Sequence, residues 1–212
     1  MKPVVDYSLY LILDPDACLG RDPLEIALET VAGGVTLVQL RAPLWKKRRT
    51  YELATALKAA LTPRGVPLII NDDVDVAVAA KAAGAHVGQK DLPPQAARAL
   101  LGDDAILGLS VSFPEHLEAA LALPPGTIDY IGSGPAFATP SKADANPVIG
   151  PQAVIDFAGR SPVPVVAIGG IDAERAVAFH RTKVAGVCAI SALCAAPDPA
   201  AAARAMKRAF SG

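Results

Sequence analysis

The chain is poor in aromatic residues, which make up 5% of its 212 positions, so aliphatic side chains have to fill whatever core it builds. Cysteine is scarce as well. Cys18, Cys188 and Cys194 form no C-x-x-C pair and are odd in number, which excludes a disulfide framework and reads as a reducing, cytoplasmic setting. No apolar run reaches the ~18 residues of a membrane span, and the N-terminus lacks the basic-then-apolar order of a signal peptide. Charge of either sign is balanced: 20 Lys and Arg against 21 Asp and Glu leave a net charge of −1. That excludes the basic surface of a sequence-independent nucleic-acid binder. A G-x-G-x-x-G fingerprint is also absent near the N-terminus, which argues against an open dinucleotide-binding sheet.

What is present is hydrophobic, at 52% of residues and a mean hydropathy of +0.35. It is also ordered: short apolar runs alternate with segments of helical spacing. Runs at Tyr7–Leu13, Val35–Leu40, Pro67–Ile70, Ala85–Gly88, Ala105–Leu109 and Ile128–Ile131 predict six strands, and Val165–Ile171 and Ala185–Ser191 supply two more. Helices are expected at Pro23–Ala32, Leu44–Leu61, Val74–Ala83, Pro93–Leu101, Pro114–Leu123, from about Pro151, after Gly170, and at Ala200–Phe210. Eight strands and eight helices in strict alternation predict parallel pairing, and so short a chain favours closure. The expectation is an α/β protein with residues 1–212 forming one (β/α)8 TIM barrel, its chemistry at the carboxyl ends of the strands.

The runs Val165–Ile171 and Ala185–Ser191 organise the rest. The first ends on Gly169 and Gly170, the second on Ser191. Glycine lets an anion approach the backbone, and a helix start offers amide donors, so two such ends side by side predict a phosphate cup. The plainer alternative is that the glycines only turn the chain. Elsewhere the strand ends read Gln39-Leu40-Arg41, Asn71-Asp72-Asp73, Gly88-Gln89-Lys90-Asp91 and Gly108-Leu109-Ser110. Period-two alternation puts Gln39 and Arg41 on one face, aimed at the barrel mouth. The loop from Gly132 to Lys142 and beyond is too long to be a plain connector, and Thr139, Ser141 and Lys142 suit a second anion. Asp72 and Asp91, at neighbouring strand ends, match the one or two carboxylates Mg²⁺ prefers beside substrate phosphates. The plainer alternative is helix capping, which Asp73 and Asp91 both fit; Asn71, Asp72 and Asp91 together, facing a phosphate cup, favour the metal reading. His86 is expected in the core, bonded to backbone, with His116 and His180 exposed on helices. Trp45 is expected to pack against a helix, and Lys46, Lys47 and Arg48 to form a solvated face.

Six segments in register carry a resemblance. Val35–Arg41, Ile70-Asn71-Asp72, His86–Leu92, Tyr130–Pro135, Thr139-Pro140-Ser141-Lys142 and Val166–Ile171 together resemble the thiamine-phosphate synthase family, from Tyr10 to Ala200. The resemblance implies a transferase of thiamine biosynthesis that joins hydroxymethylpyrimidine diphosphate to thiazole phosphate, or its carboxylated form, and releases pyrophosphate. It implies that Gln39, Arg41 and Asn71 hold the pyrimidine diphosphate, that Asp72 and Asp91 hold Mg²⁺, and that Ser110 contacts the pyrimidine. It further implies that Thr139, Pro140 and Ser141 line the thiazole phosphate site, that Gly169 or Gly170 with Ile190 and Ser191 seat that phosphate, and that Lys142 reaches the diphosphate. The implied catalytic groups are Lys142, Arg41 and Ser110, the implied cofactor Mg²⁺, and the partners small molecules rather than nucleic acid or membrane. A homo-oligomer is left open.

Two departures stand out. Ala42-Pro43 follows Arg41 where the family usually continues Glu-Lys, and Val111-Ser112-Phe113-Pro114 stands where a histidine commonly lies two residues past the serine. Two other readings compete: a thiazole tautomerase on the same barrel, and a non-catalytic binder of thiamine precursors. If Lys142 neutralises the leaving diphosphate, Lys142→Ala lowers turnover roughly tenfold or more, about 1.4 kcal/mol of barrier, in a folded protein. Steady-state turnover near wild type removes Lys142 from the chemistry.

Overall fold

A computed structural model describes residues 2, 4–139 and 146–212. Eight parallel strands close on themselves in sequence order: β1 (Leu9–Leu13), β2 (Leu37–Leu40), β3 (Leu68–Asn71), β4 (Gly84–Val87), β5 (Ile106–Val111), β6 (Tyr130–Ser133), β7 (Val165–Ala167) and β8 (Gly186–Ala189). Closure is made by β1, which pairs with β2 through Tyr10↔Leu37 and with β8 through Tyr10↔Cys188. The strands are aliphatic and almost wholly buried, as expected where both faces of a parallel sheet are covered.

The covering helices are α1 (Pro23–Ala32), α2 (Lys47–Leu61), α3 (Val74–Ala80), α4 (Pro94–Leu101), α5 (Pro114–Leu121), α6 (Pro151–Arg160), α7 (Ala173–Ala176), α8 (Ser191–Cys194) and α9 (Pro199–Ser211). Their starts follow sequence chemistry. Asp22, Asp172 and Asp198 accept first-turn amides of α1, α7 and α9, and proline sits in the first turn of α1 and α9. No helix among the described residues is long and apolar enough to cross a membrane.

The structure corrects three sequence expectations. Strict alternation of eight strands with eight helices is broken by α8, a single turn inserted between β8 and α9. The helix expected to run to Ala83 ends at Ala80, because Lys81 takes a left-handed conformation (φ 52°) to turn the chain into β4. The one expected from Leu44 begins only at Lys47, after a turn closed by the Trp45 amide on the Ala42 carbonyl.

Close strand approach depends on residues without side chains. A Cβ on Gly84 would lie 1.8 Å from the carbonyl oxygen of Ile106 on β5. The neighbour is backbone, so relief requires the β4–β5 ladder to move. Gly84→Ala is therefore expected to destabilise the fold by about 2 kcal/mol, a drop of roughly 4–8 °C in Tm by calorimetry. An unchanged Tm contradicts this packing.

Candidate active site

The carboxyl ends of the strands open into one cavity of about 720 Å³, within the range of small-molecule sites. Arg41 follows β2, Asn71 ends β3, Asp72 follows it, Asp91 lies past β4 and Ser110 is on β5; all five line the cavity. The opposite wall carries Gly169, Gly170, Ile190 and Ser191, and Thr139 reaches in from the loop after β6. Pro140, Ser141 and Lys142 lie outside the described residues.

Arg41 owes its place to a residue the sequence reading passed over. Its guanidinium bonds Asp14, at the end of β1, at 2.7 Å, and the two side chains are only 12% and 9% exposed. Asp14 also accepts the Asp16 amide at 3.1 Å, capping a 3-10 turn at Pro15–Cys18. Gln39, two residues before Arg41, is not among the cavity-lining residues. It is buried, and its amide nitrogen donates to the Tyr10 hydroxyl at 2.7 Å, which corrects the expectation that both side chains open into the mouth.

The two aspartates meet their alternatives differently. Asp72 holds a left-handed backbone (φ 60°), uncommon outside glycine but tolerated by Asp, inside a tight turn in which the Val74 amide bonds the Asp72 carbonyl. Asp91 does not cap α4, whose start has no side-chain cap; it accepts the Gly88 amide at 2.7 Å instead. Asp73 stands at the N-cap position of α3 without capping it, and ion-pairs with Lys47 at 3.2 Å. Lys47 also binds Asp75 at 2.8 Å, and that hydrogen bond holds the Asp75 carboxyl below its usual range. Lys46, Lys47 and Arg48 are exposed and do not line the cavity. Trp45 stacks under the Arg49 guanidinium, 3.5 Å from the ring centre.

The glycine turn does more than reverse the chain. Gly169 and Gly170 both have positive φ, at 101° and 61°. A Cβ on Gly169 would lie 2.5 Å from Cα of Pro135, and one on Gly170 2.5 Å from the Ala138 carbonyl. The amides of Ala136 and Phe137 bond the carbonyls of Ile168 and Gly169, at 2.8 and 3.0 Å, joining the loop after β6 to the turn after β7. Beside them α8 presents its N-terminal end, with Ile190, Ser191 and Ala192 on the cavity wall. A short extra helix after the last strand is the usual phosphate seat of such barrels. Arg175, on α7, lies at the same rim and donates to the Gly170 carbonyl at 2.7 Å.

All three histidine expectations are corrected. His86 is buried but bonded to side chains, Tyr130 through Nδ1 and Ser110 through Nε2, each at 2.9 Å. His116 is half-buried on α5 and lines the cavity beside Phe113. His180 caps a 3-10 turn and is half-buried against the Phe210 carbonyl at 2.9 Å. Asp14 carried no local signal, since its ion-pair partner Arg41 is distant in sequence, whereas Arg175 and His116 bond neighbours within five residues, Gly170 and Ser112. A histidine four residues past Ser112, one helical turn along, was the nearest hint.

Fold and site define a class: a (β/α)8 barrel whose mouth carries a glycine turn and the start of a short helix on one side and two aspartates on the other. The family profile described as "Thiamine monophosphate synthase" matches residues 9–193. The chain is 45% identical to the thiamine-phosphate synthase of Laribacter hongkongensis over 96% of this chain and 95% of that protein. It is 50% identical to that of Azorhizobium caulinodans over 95% and 94%. The solved thiamine phosphate pyrophosphorylase of Pyrococcus furiosus superposes with a TM-score of 0.85 at 29% identity, covering 97% of this chain and 96% of that one. The chain belongs to the thiamine-phosphate synthase family, a family of transferases.

Removing one partner of a largely buried ion pair strands the other charge. Asp14→Ala is expected to cost about 3 kcal/mol of stability, read as a lower urea midpoint at unchanged slope. An unchanged midpoint contradicts the role given to Asp14.

Proposed function

We propose that this cavity joins hydroxymethylpyrimidine diphosphate to thiazole phosphate, forming thiamine phosphate and releasing pyrophosphate, with Mg²⁺ as cofactor. The observation that carries the proposal is the meeting, in one cavity, of Arg41, Asn71, Asp72 and Asp91 with the Gly169-Gly170 and Ser191 seat across from them. Two anionic substrates need two anion sites, and the cavity has two walls suited to them.

The donor set fits a hard cation. Asp72 and Asp91 lie past the ends of neighbouring strands, β3 and β4 being paired through Asn71↔His86. No cluster of three or more His, Cys, Asp or Glu suited to a metal occurs among the described residues, so oxygens of the substrate and water would complete the shell, the usual arrangement for Mg²⁺. When bound there, the ion neutralises charge on the departing diphosphate.

The residues of the chain do the rest. The carbon joined to diphosphate is activated by the aminopyrimidine ring, so its C–O bond breaks to leave a stabilised cation. The thiazole nitrogen then forms the new C–N bond. No nucleophile–base pair is required. Arg41 and Lys142 stabilise the negative charge gathering on the leaving oxygens. Asn71 binds the same diphosphate, Gln39 supports that wall from within, and Ser110 contacts the pyrimidine. Gly169, Gly170, Ile190 and Ser191, with Thr139, Pro140 and Ser141, seat the thiazole phosphate so that its ring nitrogen lies in line. Such positioning is worth up to ~7–11 kcal/mol. Cys18, Cys188 and Cys194 are buried.

Incubation with both substrates and Mg²⁺ is expected to release pyrophosphate, EDTA to abolish the release, and excess Mg²⁺ to restore it. Conversion of the thiazole alone would identify a tautomerase, and binding without pyrophosphate a precursor binder. Turnover insensitive to EDTA would remove the metal from the account.

A further inference from the structure

Four hydrogen bonds link five side chains from the barrel interior to the cavity. Gln39 Nε2 donates to Tyr10 Oη at 2.7 Å, Tyr10 Oη meets Tyr130 Oη at 2.8 Å, Tyr130 Oη meets His86 Nδ1 at 2.9 Å, and His86 Nε2 meets Ser110 Oγ at 2.9 Å. Ser110 lines the cavity; Tyr10 and Tyr130 are 1% and 0% exposed. Space for the rings is left by Gly108, whose Cβ would lie 2.2 Å from Cζ of Tyr130 and 2.4 Å from Nδ1 of His86.

We infer that this chain of bonds has one direction, set by Gln39, and that it presents the Ser110 hydroxyl to the pyrimidine substrate as a hydrogen-bond donor. The amide nitrogen of Gln39 only donates, so Tyr10 accepts from it. The proton of Tyr10 then has one acceptor, the Tyr130 oxygen, because the Tyr10 hydroxyl makes no other hydrogen bond among the described residues. The reverse order would bury that proton without a partner, at a cost of about 1–3 kcal/mol. Tyr130, accepting from Tyr10, donates to Nδ1 of His86. The neutral imidazole therefore carries its proton on Nε2 and gives it to Ser110 Oγ. The serine's own proton is left to point into the cavity. Burial pushes the phenol pKa of both tyrosines up, which keeps their two phenol protons in place.

Gln39, Tyr10, Tyr130 and His86 are thus positioning residues, and Ser110 meets an acceptor atom on the pyrimidine half of the substrate pair. The inference rests on the reading that Ser110 contacts the pyrimidine, but its direction is measurable without turnover. Long-range ¹H–¹⁵N correlation on the full chain, with His86 assigned by His86→Gln, is expected to show the Nε2–H tautomer of His86 in the wild type. In Tyr130→Phe that single tautomer is expected to give way to a mixture. In the same variant KM for the pyrimidine diphosphate rises about tenfold, KM for thiazole phosphate does not change, and adding Ser110→Ala raises it little further. If Tyr130→Phe does not fold, Tyr10→Phe serves, since it removes the link through which Gln39 sets the direction. An Nδ1–H tautomer in the wild type overturns the inference, as do fully additive Tyr130 and Ser110 effects. A protein with the expected tautomer and no turnover would instead count against the proposed reaction.

Discussion

Closure of the parallel ladder is the constraint on which everything else depends. Because β1 pairs with both β2 and β8, the sheet has no free edge, and all eight carboxyl ends are gathered at one rim. Residues as far apart in sequence as Arg41 and Ser191 then share one cavity wall system. Neither side of the mouth is local in sequence. An open sheet of the same strands would leave the glycine turn after β7 and the helix start after β8 far from the carboxylates after β3 and β4.

The interior follows from that closure. Most of it is aliphatic and buried, as a chain with so few aromatics requires. Four of the exceptions, Tyr10, Gln39, His86 and Tyr130, form one bonded column leading to the cavity. A buried polar group is tolerated when its bonds are made and costly when they are not. The column is complete from Gln39 to Ser110, which ties the rigidity of the core to the orientation of a cavity hydroxyl. Asp14 does the same for charge, holding the Arg41 guanidinium at the rim through a largely buried ion pair.

Much of this was legible in the sequence, and the reasons differ by feature. The strands were found because parallel strands are short, continuous apolar runs. Helix starts such as Pro23, Pro114 and Pro151 were found because proline in the first turn is a local signal. Arg41, Asn71, Asp72, Asp91, Ser110 and the Gly169-Gly170 turn were found because strand ends in a barrel have a known direction. What stayed hidden was decided by distant partners. Gln39 looked like a mouth residue until Tyr10 claimed its amide, and His86 looked like a backbone-bonded histidine until Tyr130 and Ser110 took its two nitrogens. Lys47 turned toward Asp73 and Asp75, a choice fixed by how α2 packs on α3. The one-turn helix α8 is too short for any periodicity to reveal.

The central claim is that the carboxylates after β3 and β4 bring a divalent ion to the diphosphate. Calorimetric titration of pyrophosphate into the protein tests it most directly, with and without Mg²⁺, in the wild type and in a variant carrying both Asp72→Asn and Asp91→Asn. The account predicts Mg²⁺-dependent binding in the wild type and none of that dependence in the variant. Binding that ignores Mg²⁺, or that keeps its Mg²⁺ dependence after both substitutions, would contradict it.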